Sequence, residues 1–120
     1  RGVKTNMGDP HRNLVDFSHV PVLKRLTRMP ICVDPSHSVG TRERSPDGIL
    51  DLMHTAVQGV IAGANMVLVD FHPEPAKALV DGPQAMLMSE LDWFLEDIAL
   101  AWQCYQQRQK LAEQHQYGRL

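Results

Sequence analysis

The sequence predicts an α/β fold built on short parallel strands, and two apolar runs carry that prediction. Residues 30–33 (Pro-Ile-Cys-Val) and 66–69 (Met-Val-Leu-Val) are β-rich and do not alternate apolar with polar residues. Strands of this kind are buried on both faces, as in parallel sheets covered by helices. Polar residues follow each run, beginning at Asp34 and at Asp70. α/β proteins place their catalytic and binding residues at the carboxyl ends of strands. The polar residues that follow each run are therefore candidate site residues.

Helical periodicity surrounds the strands. A first helix is predicted from about Val20 to Arg28, with Ser18 or His19 as its N-cap and Pro21 in its first turn. Its expected inner face consists of Val22, Leu23 and Leu26.

Two further helices are predicted from apolar residues at helical spacing. Apolar residues at helical spacing predict a helix over residues 49–61, with Ser45-Pro46 as its start signal and Gly63 as its stop. A last helix carries an apolar stripe from Leu91 to Tyr105, and Ser89 with Asp92 resembles a capping box.

The remaining stretches are predicted to be loops. They cover residues 1–13, 38–48 and 71–84, the last with one helical turn at about residues 74–79. Cys32 lies inside the first predicted strand, so its thiol is expected to be buried.

The predicted order is strand–helix–strand–helix with a helix in front, which is the repeating unit of an α/β barrel or an open sheet. Two central strands alone leave edges and one face uncovered. We therefore expect residues 1–120 to be the C-terminal part of a larger barrel. The segment alone should be neither self-sufficient nor active, and should pack against the rest of the barrel or another copy.

Composition excludes several classes of function. Lys and Arg (12) do not outnumber Asp and Glu (14), which argues against a nucleic-acid partner. No apolar run approaches the ~20 residues needed to span a membrane. Cys32 and Cys104 form no CxxC motif, and a reduced, cytoplasmic setting is expected.

His37, Asp70 and Asp81 form a candidate metal site, because one imidazole and two carboxylates suit a divalent ion. Each residue also has an ordinary interpretation. His37 can be a hydrogen-bonded structural histidine, Asp81 before Gly82 can form a turn, and Asp34 before Pro35 can brace one.

Several motifs occur in register along the chain. They are Arg1-Gly2, Arg12-Asn13-x-x-Asp16, Val-Pro at 20–21, Pro-Ile-Cys-Val-Asp-Pro-Ser-His at 30–37, Val-Asp-Phe-His-Pro-Glu-Pro at 69–75 and Ala-Leu-Val-Asp-Gly-Pro-Gln at 78–84. Residues 1 to about 95 thereby resemble the C-terminal third to half of type I beta 3-deoxy-D-arabino-heptulosonate 7-phosphate (DAHP) synthases. The related 3-deoxy-octulosonate 8-phosphate synthases share part of the pattern.

The resemblance implies a (β/α)8 TIM barrel, of which residues 1–120 would form the C-terminal portion, about the last two strands and helices. It also implies a transferase that condenses phosphoenolpyruvate with erythrose 4-phosphate, the first step of the shikimate pathway to aromatic amino acids. It implies a divalent metal (Mn²⁺, Fe²⁺, Co²⁺ or Zn²⁺) that polarises the aldehyde and helps activate water. It also implies a homo-oligomer. By resemblance, the metal ligands are His37, Asp70 and Asp81, and Arg1 matches an arginine that contacts phosphoenolpyruvate. The further candidates are His37 and Asp34 as catalytic residues, and Arg12, Ser36, Arg42 and His72 as substrate-binding residues beside Arg1. A fourth ligand, a cysteine on the first barrel strand, has no counterpart here.

Two departures from the family leave alternatives open. The family has Glu where this chain has Asp70, and several extra residues lie around positions 42–48. Both favour a divergent paralogue of secondary metabolism that acts on another phosphosugar. A non-catalytic ligand-binding or partner subunit is the alternative from a different class. Arg42 and His72 likewise have structural alternatives, a solvated loop and a loop-bracing contact.

Overall fold

The computed structural model describes residues 1–4 and 10–116, and these residues confirm the α/β class. The central pair of strands is β3 (Cys32–Val33) and β4 (Met66–Val67), which run parallel with Val33 opposite Val67. Each is shorter than the apolar run that predicts it. The crossover between them contains two helices, α2 (Pro35–Val39) and α3 (Asp51–Ile61). Asp34 and Asp70 therefore follow neighbouring strands at the same edge of the sheet.

Helix α3 lies directly on β3. A Cβ atom added at Gly59 would stand 2.7 Å from Cγ2 of Val33, so only a glycine allows this approach. On its other side α3 packs against the long helix α4 (Leu91–Gln114). The buried cluster between them consists of Leu50, Leu52, Met53, Ala56, Met86 and Phe94.

Helix α1 (His19–Thr27) confirms the first predicted helix but not its predicted inner face. Val20 is buried against Val33, whereas Leu23 and Leu26 are 42% and 74% exposed. The helix contacts the sheet through its first turn, and no described residue covers the remaining apolar positions. Ser18 occupies the N-cap without a side-chain capping bond.

Short elements lie where loops were predicted. Strands β1 (Val3–Lys4) and β2 (Asn13–Leu14) pair antiparallel, while residues 5–9 of that predicted loop are outside the described residues. Strands β5 (Phe71–His72) and β6 (Met86–Leu87) pair in parallel. Helix α2 occupies the start of the predicted 38–48 loop. The predicted helical turn at 74–79 is confirmed as a 3-10 turn, Pro75–Lys77.

Two predicted helix starts were wrong. Ser45-Pro46 does not begin α3, because Ser45 Oγ instead donates to the Asp51 carboxylate at the actual first turn. Ser89 does not cap α4, which is preceded by a 3-10 turn, Met88–Glu90. There the Glu90 carboxylate accepts the Leu87 backbone N–H at 2.7 Å.

The prediction that Cys32 is buried was also wrong, since its side chain is exposed. Adjacent strand residues face opposite sides, so Val33 is buried while Cys32 faces a side that no described residue covers. None of the helices within residues 1–4 and 10–116 is long and apolar enough to cross a membrane.

Candidate metal centre

His37 is presented by the first turn of α2. Asp34 is the N-cap, and its Oδ1 accepts the His37 backbone N–H at 3.1 Å. Pro35 at the first helical position is preorganised for this turn. The Asp34 carboxylate also accepts from Nδ1 of His37, with Oδ2 at 2.8 Å. The ring is thereby fixed with Nε2 directed away from the helix cap.

Asp81 reaches His37 from the turn that follows β5. Its Oδ2 lies 3.1 Å from Nε2 of His37. Asp81 itself has φ 53°, and the next residue, Gly82, could carry no side chain, because its Cβ would stand 2.4 Å from the Pro75 carbonyl oxygen. Glycine thus allows this turn to pack against the preceding one.

Asp70 follows β4 and is held through both its backbone and its side chain. Its backbone N–H donates to Ser36 Oγ at 3.0 Å, and its Oδ2 accepts from Gln84 Nε2 at 2.7 Å. Asp70 is half-buried, as are His37 and Asp81.

The three predicted ligands converge. One donor atom from each of His37, Asp70 and Asp81 lies within 4.8 Å of the other two. Ligands at ~2.0–2.3 Å from one ion have about this span, and the mixed nitrogen and oxygen set suits Mn²⁺, Fe²⁺, Co²⁺ or Zn²⁺. The residues therefore fit a divalent metal. A carboxylate on the other ring nitrogen, as Asp34 provides, is the usual support of a histidine ligand.

The carboxylates around His37 favour the protonated, positively charged form of its ring. The hydrogen bond that the His37 ring donates to the Asp34 carboxylate raises the pKa of His37 against the opposing effect of burial, and the hydrogen bond to Asp81 adds to the rise. Burial would raise the pKa of Asp34, but the hydrogen bonds from the His37 ring and backbone outweigh it and lower that pKa. A proton and a metal ion compete for such a nitrogen, so metal binding would release a proton.

Comparison with known proteins identifies the family. The DAHP synthetase I family matches residues 1–109 of the chain. The chain belongs to the DAHP synthetase I family. A curated relative, the phospho-2-dehydro-3-deoxyheptonate aldolase of Thermotoga maritima, is 36% identical over 94% of this chain and 28% of its own length. A 2-dehydro-3-deoxyphosphooctonate aldolase of Cyanothece is 31% identical over 74% of this chain and 36% of its own length.

Solved structures agree with this membership. The crystal structure of the Thermotoga maritima DAHP synthase superposes with a TM-score of 0.66 at 33% identity, over 94% of this chain and 28% of that one. A truncated form of the same enzyme gives a TM-score of 0.59, over 93% and 36%. The α/β segment thus corresponds to part of a larger DAHP synthase chain.

The structure places two of the predicted substrate-binding residues, Arg1 and Ser36, against Asp34 and Asp70, and a third, Arg12, against Gly40. Nε of Arg1 donates to Asp34 Oδ2 at 3.3 Å, with the arginine side chain 65% exposed. The Arg12 side chain lies over Gly40, where an added Cβ would be 3.0 Å from Nε. Ser36 is fully buried, and its Oγ is engaged by the Asp70 N–H. Contact with substrate remains a prediction for all three.

His72 and Arg42 have structural contacts of their own. Nδ1 of His72 accepts the Glu74 backbone N–H at 2.9 Å, a contact that braces the loop. Arg42 forms two parallel hydrogen bonds to Glu90, at 2.9 and 3.1 Å, and a third to the Ala85 carbonyl. These contacts do not test whether His72 and Arg42 bind substrate, which remains a prediction.

Two residues of the site went unrecognised at the sequence level. Asn13 Nδ2 donates to the His37 carbonyl at 2.8 Å, and Gln84 Nε2 to the Asp70 carboxylate. Both belong to the motifs that resemble the family, but their roles depend on contacts between distant parts of the chain. The one local sign of a role for Gln84 is that it closely follows Asp81 in the sequence.

The Arg42–Glu90 pair generates a prediction about stability. Glu90 is 9% exposed, and burial would raise its pKa, but the hydrogen bonds from Arg42 and Leu87 lower it. Because the folded pKa lies below the unfolded value of about 4.3, the pair's contribution is complete above that pH. It is lost as the pH falls through the folded pKa. In the complete protein, Arg42→Met should lower the free energy of unfolding at pH 7 by about 2 kcal/mol and reduce this acid dependence.

Denaturant unfolding at pH 7 and at about pH 4 checks this prediction. Lys77→Met is the matched control, because Lys77 pairs with Glu74 at 2.8 Å on the exposed surface, where loss should cost under about 1 kcal/mol. Equal losses in the two variants would contradict a structural role for Arg42. A raised KM with unchanged stability would instead support substrate binding.

Proposed function

We propose that the protein containing this chain is a metal-dependent DAHP synthase of the cytoplasm, which condenses phosphoenolpyruvate with erythrose 4-phosphate. The observation that carries the proposal is the convergence of His37, Asp70 and Asp81 in a member of this family. The chain spans about 28% of the Thermotoga maritima relative, so the activity belongs to the whole protein. We assign residues 1–120 to the C-terminal part of a (β/α)8 barrel, completed by the remaining strands or another copy in a homo-oligomer.

Each residue of the site has a defined task in this proposal. His37, Asp70 and Asp81 would hold the ion, which supplies Lewis-acid polarisation of the aldehyde and a more acidic bound water. Asp34 keeps Nδ1 of His37 protonated, so that Nε2 presents its lone pair to the ion. The guanidinium groups of Arg1 and Arg12 are suited to the carboxylate and phosphate of phosphoenolpyruvate.

A second candidate differs in the acceptor sugar. The name of the Cyanothece relative denotes an eight-carbon product, which requires a five-carbon acceptor beside the three carbons of phosphoenolpyruvate. A heptonate product requires a four-carbon acceptor. Asp70 in place of Glu and the enlarged 42–48 segment favour a divergent acceptor, because both alter the side of the site formed after β3 and β4.

The activity prediction uses the complete protein after treatment with a chelator. Phosphoenolpyruvate consumption should require added Mn²⁺ and should be faster with erythrose 4-phosphate than with a five-carbon aldose phosphate. His37→Ala should lower kcat by more than about 100-fold, because it removes a ligand. His19→Ala is the control, since His19 is exposed and lies outside the cluster. Faster turnover of the five-carbon sugar would favour the divergent paralogue, and metal binding without turnover would favour the non-catalytic alternative.

Asp70 generates a separate prediction about affinity for the ion. Asp70→Glu restores the family residue and should keep or tighten Mn²⁺ binding, whereas Asp70→Asn removes a charge and should weaken it by about tenfold or more. Titration of the metal-free complete protein measures both, with Asp92→Asn on the exposed face of α4 as control. Equal affinity in all forms would mean that Asp70 is not a ligand.

A further inference from the structure

Gln84 is a buried amide with an incomplete set of hydrogen bonds. Its side chain is fully buried, and Nε2 donates to Asp70 Oδ2 at 2.7 Å. Its Oε1 is the buried side-chain atom that has no hydrogen-bond partner among the described residues. A carboxylate only accepts, so the amide must turn its nitrogen toward Asp70 and leave the oxygen unpaired. An unpaired buried acceptor destabilises the folded state. The hydrogen bond to Asp70 is the interaction that the Gln84 side chain gains in this orientation.

The rest of Asp70 is already fixed. Ser36 Oγ accepts its backbone N–H, and its backbone carbonyl accepts the Met86 N–H at 2.8 Å. Only the side-chain torsions remain free, and the bond from Gln84 to Oδ2 restrains them. No hydrogen bond reaches Oδ1 within the part of the chain that the structure describes. The Gln84 bond occupies one lone pair of Oδ2, so Oδ1 is the less engaged of the two Asp70 oxygens and the one more available to a cation.

Gln84 also connects Asp70 to the second carboxylate. It ends the 3-10 turn Gly82–Gln84 that begins after Asp81, and its backbone N–H donates to the Asp81 carbonyl at 3.3 Å. The same residue therefore lies on the turn that carries one carboxylate and bonds to the other. A movement of this turn would displace both carboxylates together.

We propose that Gln84 is a positioning residue that holds Asp70 as a one-oxygen ligand in register with Asp81 and His37. This role rests on the proposed function, because it requires that the cluster binds a metal ion. It goes further by assigning selectivity to a residue outside the ligand set. Ca²⁺ accepts two-oxygen carboxylate binding in flexible geometry, so a restrained Asp70 disfavours Ca²⁺ relative to Mn²⁺.

The test is a set of titrations on the metal-free complete protein, with Mn²⁺ and then with Ca²⁺ as competitor. Gln84→Met keeps the approximate volume and removes the donor, and it should weaken Mn²⁺ binding about tenfold, as removal of such supports usually does. The preference for Mn²⁺ over Ca²⁺ should fall as well, which a merely structural role would not produce. Gln106→Met, on the exposed end of α4, is the matched control and should leave both unchanged.

A thermodynamic cycle shows whether Gln84 acts through Asp70. In an Asp70→Asn background, Gln84→Met should change Mn²⁺ affinity by less than about twofold. Gln84→Asn retains an amide but shortens its reach by one methylene, and it serves if the Met variant does not fold by circular dichroism. It should also weaken binding.

The outcomes separate the two claims. Wild-type protein that binds Mn²⁺, with Gln84→Met and Gln84→Asn binding equally well, would overturn the role of Gln84 and leave the proposed function intact. The role of Gln84 would also be overturned if Gln84→Met weakened Mn²⁺ binding equally in the wild-type and Asp70→Asn backgrounds. An unchanged preference of Gln84→Met for Mn²⁺ over Ca²⁺ would overturn it as well. Wild-type protein without affinity for Mn²⁺ would overturn both claims.

Discussion

Asp34 uses one carboxylate twice. It accepts the His37 backbone N–H that begins α2, and it accepts from the ring nitrogen of the same residue. The first contact ends β3 and starts a helix within a single residue, and the second selects the ring nitrogen that faces the site. Loss of this group would remove both a helix cap and a ring support. The position of His37 relative to Asp81 depends on it.

The parallel pairing of β3 with β4 supplies the other constraint. Their register places Val33 opposite Val67, so the residues that follow each strand emerge at one edge. Ser36, in helix α2 of the crossover between these strands, accepts the Asp70 N–H and so connects the two strand ends directly. Gly59 allows α3 to lie close enough to cover this pair. The convergence of His37, Asp70 and Asp81 thus depends on strand register as well as on residue identity.

The sequence predicted the α/β class and the convergence of His37, Asp70 and Asp81, because strand ends and turn residues are local signals. Burial was less predictable. Cys32 and Leu26 are apolar positions whose exposure depends on which face other parts of the protein cover. The two-residue strands β5 and β6 carry too few residues for periodicity to identify. Gln84 could not be assigned from sequence alone, because its partner Asp70 lies on another element and only the fold brings them together.

The central claim is that one ion binds between His37, Asp70 and Asp81. Anomalous X-ray diffraction from crystals of the complete protein grown with Mn²⁺ measures this most directly. The account predicts one strong peak at ~2.0–2.3 Å from Nε2 of His37 and from one carboxylate oxygen of each aspartate. A strong peak elsewhere, or ordered side chains of these residues with no peak between them at saturating Mn²⁺, would contradict it.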